Sequence, residues 1–490
     1  MVSQWRSTWQ YPRVDPRAHA SSSINRRQCL AAATATLLLP AGCATRGAGS
    51  RREFSLAAVP AVLALRGGAQ PGVAAWTYGG STPGPQLRVR QGDRLRVQVH
   101  NRLPQPTTVH WHGLRVPNAM DGVPHLTQAP IEPGGRFTYE FDVPDAGTYW
   151  YHSHLHSAEQ LDRGLHGMVV VEERDPPAVD RDLAWVLDDW RLTRAGQVSE
   201  TFGNAHDMAH AGRIGNVITV NGALPADLVL RAGERVRLRL LNAANARIFS
   251  LEFTGHRPVV IAIDGQPVEP HAPAGGQVTL APGMRMDLLL DATGRPGERH
   301  VVHDNFYPRA AYELLHLHYS QAALRGQALP APAALARNTL PEPDVAGATT
   351  HEITFEGGMM GSLHQALLDG RPMDMRALLG RGKAWAVNGR VADGHAMQPA
   401  LTLARGRSYV LALRNRTRWH HPIHLHGHSF RVIRRDGRPT AHREWQDTVL
   451  MAPEERVDIA FVADNPGDWM FHCHILEHQE GGMMSVVRVA

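Results

Sequence analysis

Residues 89–101 read VRQGDRLRVQVHN, residues 230–242 read LRAGERVRLRLLN, and residues 403–415 read LARGRSYVLALRN. Each opens on a small turn at Gly92, Gly233 or Gly406, alternates apolar with polar residues, and ends on Asn. Alternation with period two marks a strand that buries one face. A second block also occurs three times: PGGRFTYEFDVPDAGTYWYHSH from Pro133, PGMRMDLLLDATG from Pro282 and PEERVDIAFVADNPGDWMFHCH from Pro453. The turn glycines lie 141 and 173 residues apart, each interval the size of a strand-rich sandwich. Pro and Gly are dense and long amphipathic helical patterns are few, so an all-β chain is expected. Breaks fall after Pro176-Pro177 and in the Ala/Pro-rich stretch around 328–346, which reads as a linker. The expected organisation is a leader over residues 1–43, then domains over 53–177, 178–345 and 346–490.

The 490 residues carry 29 histidines and only 3 cysteines, a ratio that excludes a disulfide scaffold and a Cys-rich zinc array. No apolar run approaches the length of a membrane span. The net charge of +5 comes mostly from Arg6, Arg13, Arg17, Arg26 and Arg27 against Asp15 alone. Without that segment the chain is close to neutral and has no basic run with interleaved aromatics, so nucleic acid is excluded as a partner. Arg26-Arg27 precedes a short apolar stretch, Leu30–Leu39, as in a twin-arginine export signal. The stretch ends Leu39-Pro40-Ala41-Gly42-Cys43, similar to a lipoprotein cleavage box, which makes Cys43 a candidate lipid anchor. The expected location is therefore the periplasm, with or without a membrane anchor. Cys29 belongs to the leader, so Cys473 is the one cysteine left in the body of the chain.

Four His-X-His pairs stand at matching ends of the first and third units: His110/His112, His152/His154, His424/His426 and His472/His474. In a strand, residues i and i+2 point to one face, so each pair presents two imidazoles side by side. One such pair is weak evidence; four at equivalent places are strong. The second unit has lost them, reading Glu252-Phe253-Thr254 and His300-Val301-Val302-His303 instead. Units one and three are thus expected to face each other across one eight-histidine cluster. Cys473 lies inside the last pair and points to the opposite face. His421 precedes the His424 pair by three residues, and His478 and Met483 follow Cys473 by five and ten. Two imidazoles, one thiolate and a weak thioether suit a blue-copper electron-transfer site better than zinc.

The segments HWHG (110–113), WYHSH (150–154), HPIHLHG (421–427) and HCHILEHQEGGMM (472–484) resemble the four copper-binding signatures of the multicopper oxidases. The resemblance covers about residues 55–490 and implies three cupredoxin-like Greek-key β-sandwich domains with four copper ions. By position it implies a type 1 copper on His421, Cys473, His478 and Met483. It implies a type 2 copper on His110 and His424, and a type 3 pair on His112, His152, His154, His426, His472 and His474. The implied activity is laccase-like: one-electron oxidation of phenols, aromatic amines or reduced metal ions, coupled to reduction of O2 to water. Electrons are expected to enter at His421 or His478, at the edge of domain three. The rival readings are a cuprous oxidase acting in copper resistance, a non-catalytic protein of the same fold, which would lack the ligands, and a copper nitrite reductase, which would lack the paired type 3 histidines.

Oxygen reduction consumes protons, so acidic relays are expected. Asp121 occupies the place of the family's proton-relay aspartate, although Met120-Asp121-Gly122 also reads as a plain turn. Where bacterial members carry a relay glutamate this chain has Gln479; Glu480, one place on, is the substitute candidate. Other residues stay unpromoted. His156, His166, His420 and His428 adjoin the ligand segments, and His206 and His210 are spaced i,i+4 as on a helix surface. Met359, Met360, Met373 and Met375 read as core or loop methionines. Thr417 and Trp419 replace the acidic residue and methionine of the cuprous branch.

Overall fold

The computed structural model describes residues 49–68, 70–327, 329–394 and 399–490. The twin-arginine segment, Cys29 and Cys43 lie outside the described residues. Among the described residues no helix is long and apolar enough to cross a membrane.

The chain is all-β, built as three successive pairs of sheets. In each pair the repeated strand runs parallel to the unit's first strand and antiparallel to the strand of the second block. Arg94–Asn101 lies between Arg51–Leu63 and Arg136–Asp142. Arg235–Asn242 lies between Arg181–Trp190 and Arg285–Asp291. Ser408–Asn415 lies between Thr349–Gly357 and Arg456–Val462. The terminal Asn of each repeat explains why that residue recurs. Asn101 donates through Nδ2 to the Gln105 and Ile131 carbonyls and accepts from the Leu103 N–H. Asn242 does the same with Arg247, Leu280 and Ala244, and Asn415 with Trp419, Ala452 and Thr417. One buried amide thus satisfies three backbone groups at a point where the strand turns away and its ladder ends.

The period-two reading holds for the first unit, where Leu95, Val97 and Val99 are buried against Trp111, Tyr139 and Phe141 while their neighbours face outward. The second unit differs. Every residue of Arg235–Asn242 is buried, its arginines included. Arg237 pairs with Glu173 and Asp287, both at 2.6 Å, and Arg239 with Asp182 at 2.7 Å. The polar face of this strand is buried because carboxylates from the preceding segment and from the neighbouring strand neutralise it. Domain two is therefore packed on both sides of its central sheet. The described residues of the Ala/Pro-rich stretch, 329–346, have no regular secondary structure but are tied down by side chains: Asn338 exchanges hydrogen bonds with the Ala146 backbone and Gln266, and Glu342 pairs with Arg431.

Replacing Arg237 by Leu leaves Arg239, already paired with Asp182, as the one cation near the buried carboxylates of Glu173 and Asp287 among the described ion pairs. Such a loss costs about 3–5 kcal/mol, so the midpoint of denaturant unfolding should drop clearly. A midpoint equal to that of the parent protein would show that this buried cluster contributes nothing to stability.

Candidate metal centre

Strand pairing brings the histidine pairs together. His110–His112 pairs antiparallel with Gly147–His152, placing His110 opposite His152. His421–Leu425 pairs with Gly467–Cys473, placing His424 opposite His472 and Ile423 opposite Cys473. The degenerate unit keeps the register, with Glu252 opposite His303, but not the imidazoles. The two ladders meet. His112 stacks on His424 with ring centroids 3.7 Å apart, and His110 lies 3.9 Å from His426.

The ring nitrogens divide the eight imidazoles into groups whose atoms lie within 4.8 Å of one another: His112, His152 and His474; His154, His426 and His472; and His110 with His112 and His424. Each triad draws on both domain one and domain three, so neither domain forms the site alone. The outer nitrogens are held by acceptors. His110 Nδ1–H donates to the Asp121 carbonyl at 2.8 Å, His152 to that of Ser153 at 2.9 Å, His424 to that of Asp447 at 2.8 Å and His472 to that of Cys473 at 2.9 Å. These bonds fix the tautomer and leave Nε2 as the lone pair. The Nε2 atoms of His110, His152, His154 and His424 are buried and make no hydrogen bond among the described residues. His112 is reversed: Nε2–H donates to Asp447 Oδ1 at 3.0 Å, and Nδ1 is the orphan.

His426 and His472 give the sharpest indication. Each uses Nδ1–H elsewhere, His426 on Asp121 Oδ2 at 2.9 Å, and their Nε2 atoms face each other at 3.0 Å. Two lone pairs at that distance repel unless a cation or proton lies between them. Burial, reinforced by the neighbouring imidazoles, holds His112, His152, His154, His426, His472 and His474 well below the usual histidine range. Burial lowers His424 as well, against the pull of Asp447. Neutral imidazoles with inward lone pairs are what a divalent or cuprous ion requires.

On the opposite face of the last strand, Cys473 Sγ lies 3.5 Å from His421 Nδ1 and 3.7 Å from His478 Nδ1, with the two nitrogens 3.1 Å apart. His478 Nε2–H donates to the His210 carbonyl at 2.7 Å, and His421 Nε2–H to the Thr417 hydroxyl at 2.8 Å. Both Nδ1 lone pairs therefore converge on the sulfur. Burial pushes the Cys473 thiol up and His478 down to about 3. A thiol in such surroundings gives up its proton only to a strongly bound cation. Met483 is buried in the same core.

Asp121 lies between the first and third domains. It caps the turn Asn118–Met120, and its carboxylate bridges His426 of domain three and His110 of domain one, 3.2 Å away. Glu480 instead directs Oε1 at the Ala158 N–H, 2.9 Å away, and with Glu477 lines a cavity of about 210 Å³. Gln479 is buried, with Oε1 unpartnered among the described residues. His421 and His478 are fully buried, so neither offers an exposed edge to a donor. Trp385 packs on both rings, at 5.0 Å from His421 and 4.3 Å from His478, and His210, just past helix Ala205–Ala209, lies with its ring 5.4 Å from Trp419, whose Nε1–H donates to the Met359 carbonyl. The methionines separate, Met359 and Met360 exposed, Met373 and Met375 packed on an apolar cluster.

Sequence reading missed four residues. Asp447 and Thr448 contact His112 and His424, and Arg285 and Asp264 hold Asp447. Asp447 lies more than three hundred residues from His112, and no short motif joins them. Gly283 was missed too: a Cβ there would stand 2.9 Å from His474 and 3.1 Å from His112.

Sequence models of the multicopper oxidases match residues 66–176, 181–325 and 369–490. The chain is 32% identical to the multicopper oxidase MmcO of Mycobacterium tuberculosis, over 94% of this chain and 95% of that protein. It is 26% identical to copper resistance protein A of Pseudomonas syringae pv. tomato, over 85% of this chain and 89% of that one. A crystal structure of a multi-copper oxidase from Pseudomonas thermotolerans superposes with a TM-score of 0.79 at 36% identity, covering 90% of this chain and 100% of that one. The protein belongs to the multicopper oxidase family, copper-dependent oxidoreductases that take electrons from reduced substrates to O2.

Proposed function

We propose that this chain is an exported, laccase-like oxidase that holds four copper ions. In this reading His421, Cys473, His478 and Met483 hold a type 1 ion, and His110 and His424 a type 2 ion. His112, His152 and His474 hold one type 3 ion; His154, His426 and His472 hold the other. The observation that carries it is the division of the inward lone pairs into triads, each shared between domains one and three. Copper so held supplies one-electron oxidation at the thiolate site and four-electron reduction of O2 to water at the cluster.

The protein's own part is positioning and proton handling. Cys473 is covalently continuous with His472 and His474, one residue away on either side, so the strand joins the two sites by the shortest backbone route. Asp121 Oδ2 accepts from His426 Nδ1–H and stands where a proton would be passed inward. Gln479 carries no proton, and Glu477 and Glu480, which both line the cavity, are the acids on that side. The donor meets helix Ala205–Ala209 and Trp419 first, and electrons reach His478 through its hydrogen bond to the His210 carbonyl. Phenols, aromatic amines and reduced metal ions are the expected donors. Exposed Met359 and Met360 beside Trp419 favour a second reading as a cuprous oxidase, because thioethers suit Cu(I).

Cys473→Ser should abolish the intense visible thiolate-to-copper absorption and oxidase activity together; a blue variant would refute the type 1 assignment. Oxygen uptake should be stimulated by at least one of phenols, Cu(I), Fe(II) and Mn(II), and silence with all of them would sink the oxidase reading. Met359→Leu with Met360→Leu separates the two donors: a loss confined to Cu(I) oxidation supports the cuprous reading. Gln479→Glu should raise turnover at saturating donor and O2 if proton delivery limits it, and an unchanged rate counts against that. The metal-free protein should be sensitive to acid. The imidazoles are held low in the folded chain and titrate near pH ~6.5 when unfolded, so the unfolded state binds more protons and stability falls as pH drops through that value. A melting temperature constant between pH ~7.5 and ~5 would contradict buried neutral imidazoles.

A further inference from the structure

Domain two contributes no histidine to the cluster, yet its turn at 282–285 touches it. Gly283 packs against His474 and His112 so closely that a Cβ would meet both rings. Two residues on, Arg285 is fully buried and spans all three domains. Its Nη1 and Nη2 donate to the two carboxylate oxygens of Asp447 at 2.8 and 2.5 Å, and its Nε donates to the Thr148 carbonyl of domain one at 3.3 Å. Nη1 is also 3.0 Å from the Gly283 carbonyl. Asp264 completes the clamp: it accepts from the backbone N–H of Arg285 at 2.9 Å and from those of Asp447 and Thr448, each at 3.1 Å. Asp447 in turn accepts from His112 Nε2–H, its backbone carbonyl accepts from His424 Nδ1–H, and Thr448 Oγ1 lies 3.0 and 3.1 Å from the same two nitrogens.

We propose that Arg285 of domain two is the positioning residue that orients His112 and His424, through a bidentate clamp on Asp447, so that the type 2 side of the cluster keeps its metal. The proposal rests on the copper reading above. His424 has its tautomer set by the Asp447 backbone, and His112 has its tautomer set by the Asp447 carboxylate. The carboxylate is held at both oxygens by the planar two-pronged guanidinium, and the Thr448 hydroxyl donates to Oδ1 alone, at 2.8 Å. Domain two has lost its own metal sites and kept the turn that braces its neighbours' site. Arg285 makes no hydrogen bond to a proposed ligand among the described residues, and Cys473 and its partners are held by other contacts, through Thr417 and His210. The two sites are therefore expected to respond differently to its loss.

The test uses the full copper-loaded protein as Arg285→Met and Arg285→Lys, with copper content, the type 2 electron paramagnetic resonance signal, thiolate-to-copper absorption and the rate of copper loss to a chelator as readouts. The Met variant should hold the type 2 ion about 10–100-fold more weakly, as for other residues that orient a ligand, while its thiolate absorption stays at the parental level. Lysine restores the charge without the bidentate geometry, so the Lys variant should keep an altered type 2 signal and an intermediate rate of loss. Parental type 2 signal and chelator resistance in the Lys variant, or in both, would overturn the proposal. So would equal loss of both sites in the Met variant, which would reduce Arg285 to general packing between domains. A parent protein with no type 2 signal would overturn the copper reading instead.

Discussion

Eight buried imidazoles converge in groups whose ring nitrogens lie within 4.8 Å of one another, and this constraint shapes the rest of the molecule. No single sandwich presents enough of them. Domains one and three each contribute two pairs at one end of a strand ladder, and the two ends are brought face to face so that lone pairs from His112 and His152 meet those of His474, and those from His154 meet His426 and His472. Burial keeps the rings uncharged, and a backbone carbonyl or carboxylate on the outer nitrogen settles which nitrogen points inward. The Nε2 atoms of His426 and His472 face each other at 3.0 Å, a distance at which two lone pairs repel unless a cation or proton lies between them.

Domain two serves that constraint without sharing the ligands. Its central strand is buried on both faces, and the arginines on the polar face are neutralised by Glu173, Asp182 and Asp287. The same sheet carries Arg285, whose guanidinium reaches Asp447 across the domain boundary. Burial alone would push the Asp447 carboxyl up, but the charge and hydrogen bonds of Arg285 hold it below the usual carboxylate range. Burial and the charge of Asp447 in turn push Asp264 up, against Arg285 and the backbone N–H groups that bond it. The turn with Gly283 and Arg285 thus meets the histidine cluster although this domain carries Glu252 and His303 where its neighbours carry the paired histidines.

The covering of the thiolate site gives this chain a particular donor problem. His421 and His478 are fully buried, with Trp385 packed on both rings and the His210 carbonyl on His478 Nε2, so no histidine edge is exposed there. The methionine group separates for a similar reason. Met373 and Met375 follow the apolar side of the short helix Met375–Leu379 and its preceding strand into the core, while Met359 and Met360 sit in a turn that cannot bury them.

The sequence by itself determined the three repeats, the sandwich class, and the residues that meet at the two candidate sites. Period-two alternation, a terminal Asn that satisfies three backbone groups, and His-X-His spacing on a strand are local properties, legible wherever the chain is read. Tertiary structure alone decided which histidines share a triad, that Asp121 bridges domains one and three, that Glu480 turns to Ala158, and that Asp447, Arg285 and Asp264 form one network. Those facts depend on how separate ladders are packed against one another. A hydrogen bond between residues hundreds of positions apart leaves no periodic or spacing signal in the sequence, because its geometry is set by the packing of whole domains rather than by the local path of the backbone.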